Sequence, residues 1–481
     1  MKIVIIIGIL LFGSVNSFAQ TSVAVSSRDR VYTADQTSNT VSVIDPSANK
    51  LLGVIRLGDP VPPALSALYK GALLVHGLGF SPDSKTLAVV SVGSNSVTLI
   101  DTATNKIKGT VYVGRSPHEA FFTPDGKELW VSVRGEDYIS VVDPVAMKEV
   151  RQIKVANGPG MVIFRPDGKY AFICSSFSPE TAVVDTSNYE VIKRLPQASS
   201  FSPNIAVSQD GKEFWLTLKD ASKTQAFSAE PPFDQIAVLE TGSISNHVIF
   251  ADNRNGKFAY VTIGGLNEVK VYRRGTKPEL IAQIPVGDLP HGIWRSGDGS
   301  RVYVALENGG AVQAIDTLIN KVIATIPAGQ TSQALVYVPN AVPSGAGTDN
   351  LVPLGQAADV FKFDLKAVAG SASSRGASAT VAVNSLGALD LLQIAVSGLQ
   401  PKTQYTVSLS DTNQPPFKNL VPLANFTTWQ DGGGVAQAIG PLKKIVTNAS
   451  QIGQEAVQRR YLIVSPTADV SNPVLIEKTD R

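Results

Sequence analysis

The chain has four histidines, and all four stand at one place in a recurring pattern. They open "HGLGFSPDSKTLAVV" (His76), "HEAFFTPDGKELWVSV" (His118), "HVIFADNRNGKFAYV" (His247) and "HGIWRSGDGSRVYVA" (His291). Each is followed by an apolar run, a polar turn with Asp and a hydrophobic strand. Imidazole is the side chain that moves protons and binds metals near neutral pH. Imidazoles converging from distant segments can ligate zinc, copper or nickel, or form a metal-free pocket for an anionic ligand. A histidine in such a connection can also bond a neighbouring backbone or carboxylate and simply orient its element. The sequence leaves these three readings open, with His76, His118, His247 and His291 as the metal-ligand set.

Several other chemistries are excluded by motif. Cys174 is the only cysteine, so an internal disulfide and a Cys-rich copper centre are ruled out. Its place in "YAFICS" predicts a small buried hydrophobe rather than a nucleophile. There is no Cys-x-x-Cys-His, hence no attached haem c. No Gly-x-Gly-x-x-Gly follows a strand and no Gly-x-Ser-x-Gly elbow occurs, so no nucleotide cofactor is expected. A net charge of +2 over 481 residues gives no footprint for nucleic acid.

The elements that must position the histidines are short strands. Hydrophobic strands begin at residues 31, 87, 129, 170, 214, 258 and 302, about 41 to 44 residues apart after the first interval. Each leads to a second strand such as "SVTLID" (96–101), then a third such as "KIKGTVYVG" (106–114), then a histidine-type strand. Four short strands per unit, with β-branched residues alternating between turns, read as a propeller blade, and seven units as seven blades. The chain starts on the second strand of a blade, and "QALVYVP" (333–339) supplies the missing first strand. Pairing of 333–339 with 31–35 is therefore expected to close the ring and remove its exposed edges.

Alternate loops of such a ring lie on opposite faces. One face carries "PDG", "QDG" and "DTATNK", where Asp45, Asp101, Asp143, Asp185 and Asp316 read as turn residues. The other carries the histidines, the loops "SVRGEDY" (132–138), "TLKDASKTQ" (217–225) and "ALENGGA" (305–311), and the insertion at 59–75. Counting back from each turn puts Gln333, Gly160 and Pro203 at the histidine position of the remaining blades. His76, His118, His247, His291 and Gln333 then form an arc around the channel mouth, with a gap at Gly160 and Pro203. Glu119 and Arg134 are candidate ligand-binding neighbours on the third blade, with solvated surface positions the expectation for both.

"VYTADQTSNTVSVIDPSANKLLGVIRLGD" and "SVTLIDTATNKIKGTVYVGRSPHEAFFTPDGKELWVSV" resemble YVTN-type β-propeller repeats of exported bacterial and archaeal proteins. The resemblance spans roughly residues 22–340 and implies the fold. It implies function only broadly, because such propellers include binding proteins, surface-layer proteins and lactone-cleaving or lactone-forming enzymes.

Four segments are expected. Lys2, the apolar run 3–12 and "SFA" (17–19) read as an export signal over 1–19, giving a periplasmic, secreted or cell-surface protein without a transmembrane segment in the mature chain. The propeller follows over 22–339, and a Gly/Pro-rich linker over 340–358. Residues 359–481 contain seven or eight further strands and read as a β-sandwich. "LQPKTQYTVSL" (399–409) resembles a fibronectin-type corner with Tyr405 bonded back to the chain. The sequence thus reads as an all-β, exported binding or scaffold protein whose mouth or loops take a protein, small-molecule or polysaccharide ligand. The alternative, implied by the family, is a lactonase-like hydrolase or cyclase at the same mouth, with or without a divalent metal.

Overall fold

The computed structural model describes residues 24–58, 73–368, 376–387, 389–447 and 458–478. The export-signal reading lies outside these residues, as does most of the 59–75 insertion. No helix among the described residues is long and apolar enough to cross a membrane.

Residues 30–338 form seven four-stranded antiparallel sheets around a central axis. In blades 2 to 7 the strands run in chain order from the innermost outward. Blade 1 is the expected composite: its inner strand, Ser332–Val338, pairs with Arg30–Asp35, with Val31 opposite Tyr337. A buried carboxylate fastens this seam. Asp35 accepts hydroxyl bonds from Thr33, Ser42 and Ser332, each at 2.7 Å, so a carboxyl group drawn from water is fully bonded within the protein.

Burial explains the strand compositions. Second strands such as Leu129–Val133 and Glu213–Leu218 are packed by neighbouring blades on both sides, and Trp130 and Trp215 are wholly buried. Outer strands such as Glu190–Pro196 keep most side chains in water and carry charge. The five turn aspartates behave as their spacing predicts: Asp45, Asp101, Asp143, Asp185 and Asp316 each accept a backbone N–H two or three residues on.

Inner strands run from the histidine face to the turn face, so the chain leaves Val338 at the wrong end to reach the mouth. The stretch 340–358 carries it back, held throughout. Thr102 donates to the Ala341 carbonyl, Asn105 donates to those of Gly347 and Asp349, and Val352 pairs with Val54 on the outer strand of blade 1. At the mouth face a single eight-stranded antiparallel sheet follows. Its order is Val421–Thr427, Gln404–Ser410, Tyr461–Pro466, Leu475–Glu477, Val360–Ala367, Ser378–Ser385, Asp390–Ser397 and Gly434–Gly440. The two end strands approach each other around one apolar core, giving a nearly closed barrel. This differs from the expected sandwich of two sheets because one unbroken ladder links all eight strands. The Tyr405 corner is present, its hydroxyl accepting the Gln400 N–H at 3.2 Å.

Candidate functional site

Strand register fixes which residues are equivalent at the mouth. Phe80 faces Leu87, Phe122 faces Leu129, Ala251 faces Phe258 and Arg295 faces Val302. Four places back from each lie His76, His118, His247 and His291; the same step gives Gly160, Pro203 and Gln333. In six blades the ladder slips at this place, as between Val75 and Gly77 or Pro117 and Ala120. A bulge leaves its extra residue unpaired and re-aims the side chain. The strand entry is set by a left-handed residue two places earlier in most blades, including Leu74, Ser116 and Leu289. The side-chain carbonyls of Asn39, Asn95 and Asn267 accept their N–H groups at 2.8–2.9 Å.

The four imidazoles form two pairs. His76 and His118 lie with ring centroids 4.4 Å apart, and His247 and His291 at 4.7 Å. One member of each pair is tethered across a blade boundary: His118 Nδ1 bonds the Gly160 carbonyl and His291 Nδ1 that of Gln333, both at 2.7 Å. The other member keeps a buried nitrogen without a partner, Nδ1 of His76 and Nε2 of His247. Burial, reinforced by nearby positive charge, lowers both to about 3, and His118 and His291 also fall well below the ordinary range. All four are therefore neutral at pH 7. The pairs share one electrostatic environment, since His118 and His291 each feel a member of the other pair.

Glu119 follows His118 and is 3% exposed. Its Oε2 accepts the Leu78 N–H at 3.1 Å, and burial pushes its carboxyl well above the usual range. Gly77 makes room for it: a Cβ there would lie 2.8 Å from Glu119 Oε2 and 2.1 Å from the His118 carbonyl oxygen.

A second ring position supplies charge. The residue after each second strand is Arg134 in blade 3, Lys219 in blade 5 and Glu307 in blade 7. Arg134 lies between Phe177 and Phe201, its guanidinium 5.5 and 5.4 Å from the ring centres, and its Nε is buried and unpartnered. Burial lowers it to about 10. Burial also lowers Lys219, with Glu307 opposing the shift. Neither cation forms a salt bridge among the described residues. Glu307 Oε2 lies 3.9 Å from His291 Nε2.

The C-terminal sheet roofs part of this mouth. Gln393 Nε2 donates to Glu307 Oε1 at 2.7 Å and to Asn308 Oδ1 at 3.0 Å, while Gln437 donates to Gln393 Oε1. Asn308 reaches Thr380, Ser222 reaches Asp431, and Gln330 donates to the carbonyls of Asp359 and Ser385. Ile244 and Leu289 pack against Ala395, and Phe201 meets Trp429 edge-on. These contacts come from blades 5, 6, 7 and 1. Below the histidines, inside the ring, lies a mainly apolar cavity of about 220 Å³ that reaches Glu119 and His247.

The sequence-derived arc is thus placed as follows. The four histidines meet as pairs, and Gln333 contributes its backbone carbonyl. Glu119 and Arg134 depart from the solvated positions expected of them, because neighbouring strands bury the first and two aromatic rings enclose the second. Lys219 and Glu307 were not singled out, although they share the repeat position of Arg134 and lie in loops marked as variable. Cys174 is buried and pushed up to about 11 by burial, as its strand context predicts. Among the described residues no three His, Cys, Asp or Glu side chains form a group able to hold a metal ion.

No curated protein matches the chain. Among solved structures, Pseudomonas aeruginosa periplasmic gluconolactonase PpgL is 17% identical, covering 65% of this chain and 99% of its own, with a TM-score of 0.52. A functionally unknown protein from Desulfotomaculum acetoxidans DSM 771 is 11% identical over 64% of this chain and 98% of its own, with a TM-score of 0.54. Kuenenia stuttgartiensis hydrazine synthase is 22% identical over 56% and 90%, with a TM-score of 0.50. At these identities the likeness is one of fold. The family model described as "Lactonase, 7-bladed beta-propeller" matches residues 102–318, the stretch that carries His118, His247, His291, Arg134, Lys219 and Glu307.

Proposed function

We propose that this YVTN-type propeller is an exported protein whose mouth binds a lactone and opens its ring with water. The observation that carries the reading is the pairing of two partly buried cations that form no salt bridge among the described residues, Arg134 and Lys219, with two neutral imidazoles that each keep one buried nitrogen without a partner there, His76 and His247. Cations held in a water-poor site stabilise developing negative charge strongly. Water attacks the lactone carbonyl carbon, and His76 or His247 takes its proton. Arg134 and Lys219 face the oxyanion. The acyl–oxygen bond then breaks, and Glu119, whose hold on a proton burial strengthens, supplies the proton to the leaving ring oxygen. The proton held by the imidazole returns to Glu119 through solvent, and the product is the hydroxy acid. The lactonase family match over 102–318 supports the reaction class. The leader-like first residues and the periplasmic description of one structural neighbour support export.

The test is hydrolysis of glucono-δ-lactone and simple γ-lactones by the purified chain, compared with His76→Ala and Arg134→Ala. Ring opening above background that both substitutions abolish, with folding intact, upholds the reading. A second reading, binding without turnover, is favoured by the roof over the mouth, where Gln393 bonds Glu307 and Asn308 of blade 7. Calorimetric binding without hydrolysis would select it.

A further inference from the structure

The cavity under the mouth is enclosed by the inner strands. Its upper end is bounded by Glu119 and His247, and its walls by Leu78, Phe121, Ile163, Ile249 and Trp294. Gln209 and Arg295 border its lower end. From the histidine position to Arg295 is four residues of inner strand, about 13 Å at the rise of a β-strand. Trp294 stands across the axis. It stacks on Phe121 with centroids 6.1 Å apart and meets Phe80 edge-on at 6.2 Å, although these residues belong to blades 7, 3 and 2. The space beside it is walled mainly by hydrocarbon, yet its lining also includes Glu119 and His247, the latter with a buried Nε2 that has no partner among the described residues. A small hydroxylated molecule would satisfy the polar roof and leave those walls unfilled. A molecule with a polar head and an unbranched hydrocarbon tail satisfies both.

We infer that the cavity is a tail-binding chamber, and that the ligand class of this mouth is a lactone, or its hydroxy acid, bearing a medium-length aliphatic chain. The inference rests on the mouth being the ligand site. The head lies among the imidazoles and cations, and the tail descends past Ile163 and Ile249 toward Trp294. The depth of the chamber limits the chain, and Arg295 at its far end disfavours further hydrocarbon.

Straight-chain carboxylates test this without requiring turnover. Calorimetric titration of the full chain with butanoate, hexanoate and octanoate should show affinity rising about fourfold per methylene, roughly 250-fold across the series. Ile163→Trp, which fills the chamber from a partly exposed wall position, should erase the advantage of octanoate and spare butanoate. Val207→Phe does the same from blade 5 should the first variant fail to fold. A flat series in the natural protein, or a gain undiminished in a folded chamber-filling variant, overturns the inference. Hydrolysis of glucono-δ-lactone beside a flat series would sink the chamber and keep the lactonase reading. A rising series without any lactone hydrolysis would do the reverse.

Discussion

The two histidine pairs are near copies, and their small differences separate structural from chemical roles. In each, the later histidine bonds the carbonyl of the next blade, 42 positions on, at 2.7 Å. In each, the earlier histidine has a buried nitrogen with no partner. The bland reading of a blade-orienting histidine therefore fits His118 and His291, and the sharper reading fits His76 and His247. The pairs differ in their surroundings. His118 adjoins Glu119 in the wall below, whereas His291 has Glu307 beside it, held from above by Gln393 of the C-terminal sheet. A repeat fold can thus copy its scaffold twice and assign chemistry separately to each copy.

The largest expected effect would divide the pairs along this line. His76→Ala and His247→Ala should lower kcat/KM for a lactone substrate by about a hundredfold or more, with little change in Tm. His118→Ala and His291→Ala should instead cost about 1–3 kcal/mol of stability by orphaning a buried carbonyl, and change activity far less. Equal activity losses in all four would break the distinction.

Protonation gives the next effect. His76 and His247 fall from 6.5 to about 3 on burial, so the unfolded chain takes up protons first as pH drops. Stability should fall between pH 6.5 and 3, by up to a few kcal/mol for each histidine. Glu119, shifted the other way, should cost stability as pH rises above 4.5. Thermal melts across pH 4–7 should show an acid limb that His76→Asn and His247→Asn flatten. An unchanged limb would mean that these imidazoles are not buried neutral groups.

A smaller effect should follow from Gln393→Ala, which removes two bonds to Glu307 and Asn308. It should cost about 1–3 kcal/mol and shift the imidazole NMR signals of His247 and His291 while leaving those of His76 and His118 in place. Movement of all four signals would show that the roof governs both pairs. The smallest effect is none: chelation by EDTA should leave lactone turnover unchanged, and its loss on chelation would return a metal to the mouth.

Much of this arrangement was legible because it is local and periodic. The strand repeat gave the blades, the register of Val31 with Tyr337 follows from the split blade, and the turn aspartates follow from two- and three-residue spacing. His247 looks displaced in the sequence because its turn "ADNRNG" departs from the Pro-Asp-Gly form, yet no extra residue is needed: Ala251 faces Phe258 at the same seven-residue spacing as Phe80 and Leu87. What escaped depends on packing between distant segments. Glu119 and Arg134 look like surface residues until the neighbouring blades and their aromatic rings enclose them. Lys219 and Glu307 become informative only when compared with Arg134 at the same repeat position. The single C-terminal sheet depends on non-local pairings, such as Val360–Ala367 with both Ser378–Ser385 and Leu475–Glu477, which no short stretch specifies.

The seam in blade 1 also sets a timetable. Asp29 and Tyr337 are hydrogen-bonded although 308 positions separate them. A chain made from its N-terminus must hold six blades and three strands of a seventh sheet before that contact can form, and contacts so distant in sequence form slowly. The sheet that roofs the mouth is made later still. The walls of the site therefore exist before its ring is sealed, and the ring before its roof. Until the last segment arrives, the mouth stands open to whatever small molecules surround the nascent protein.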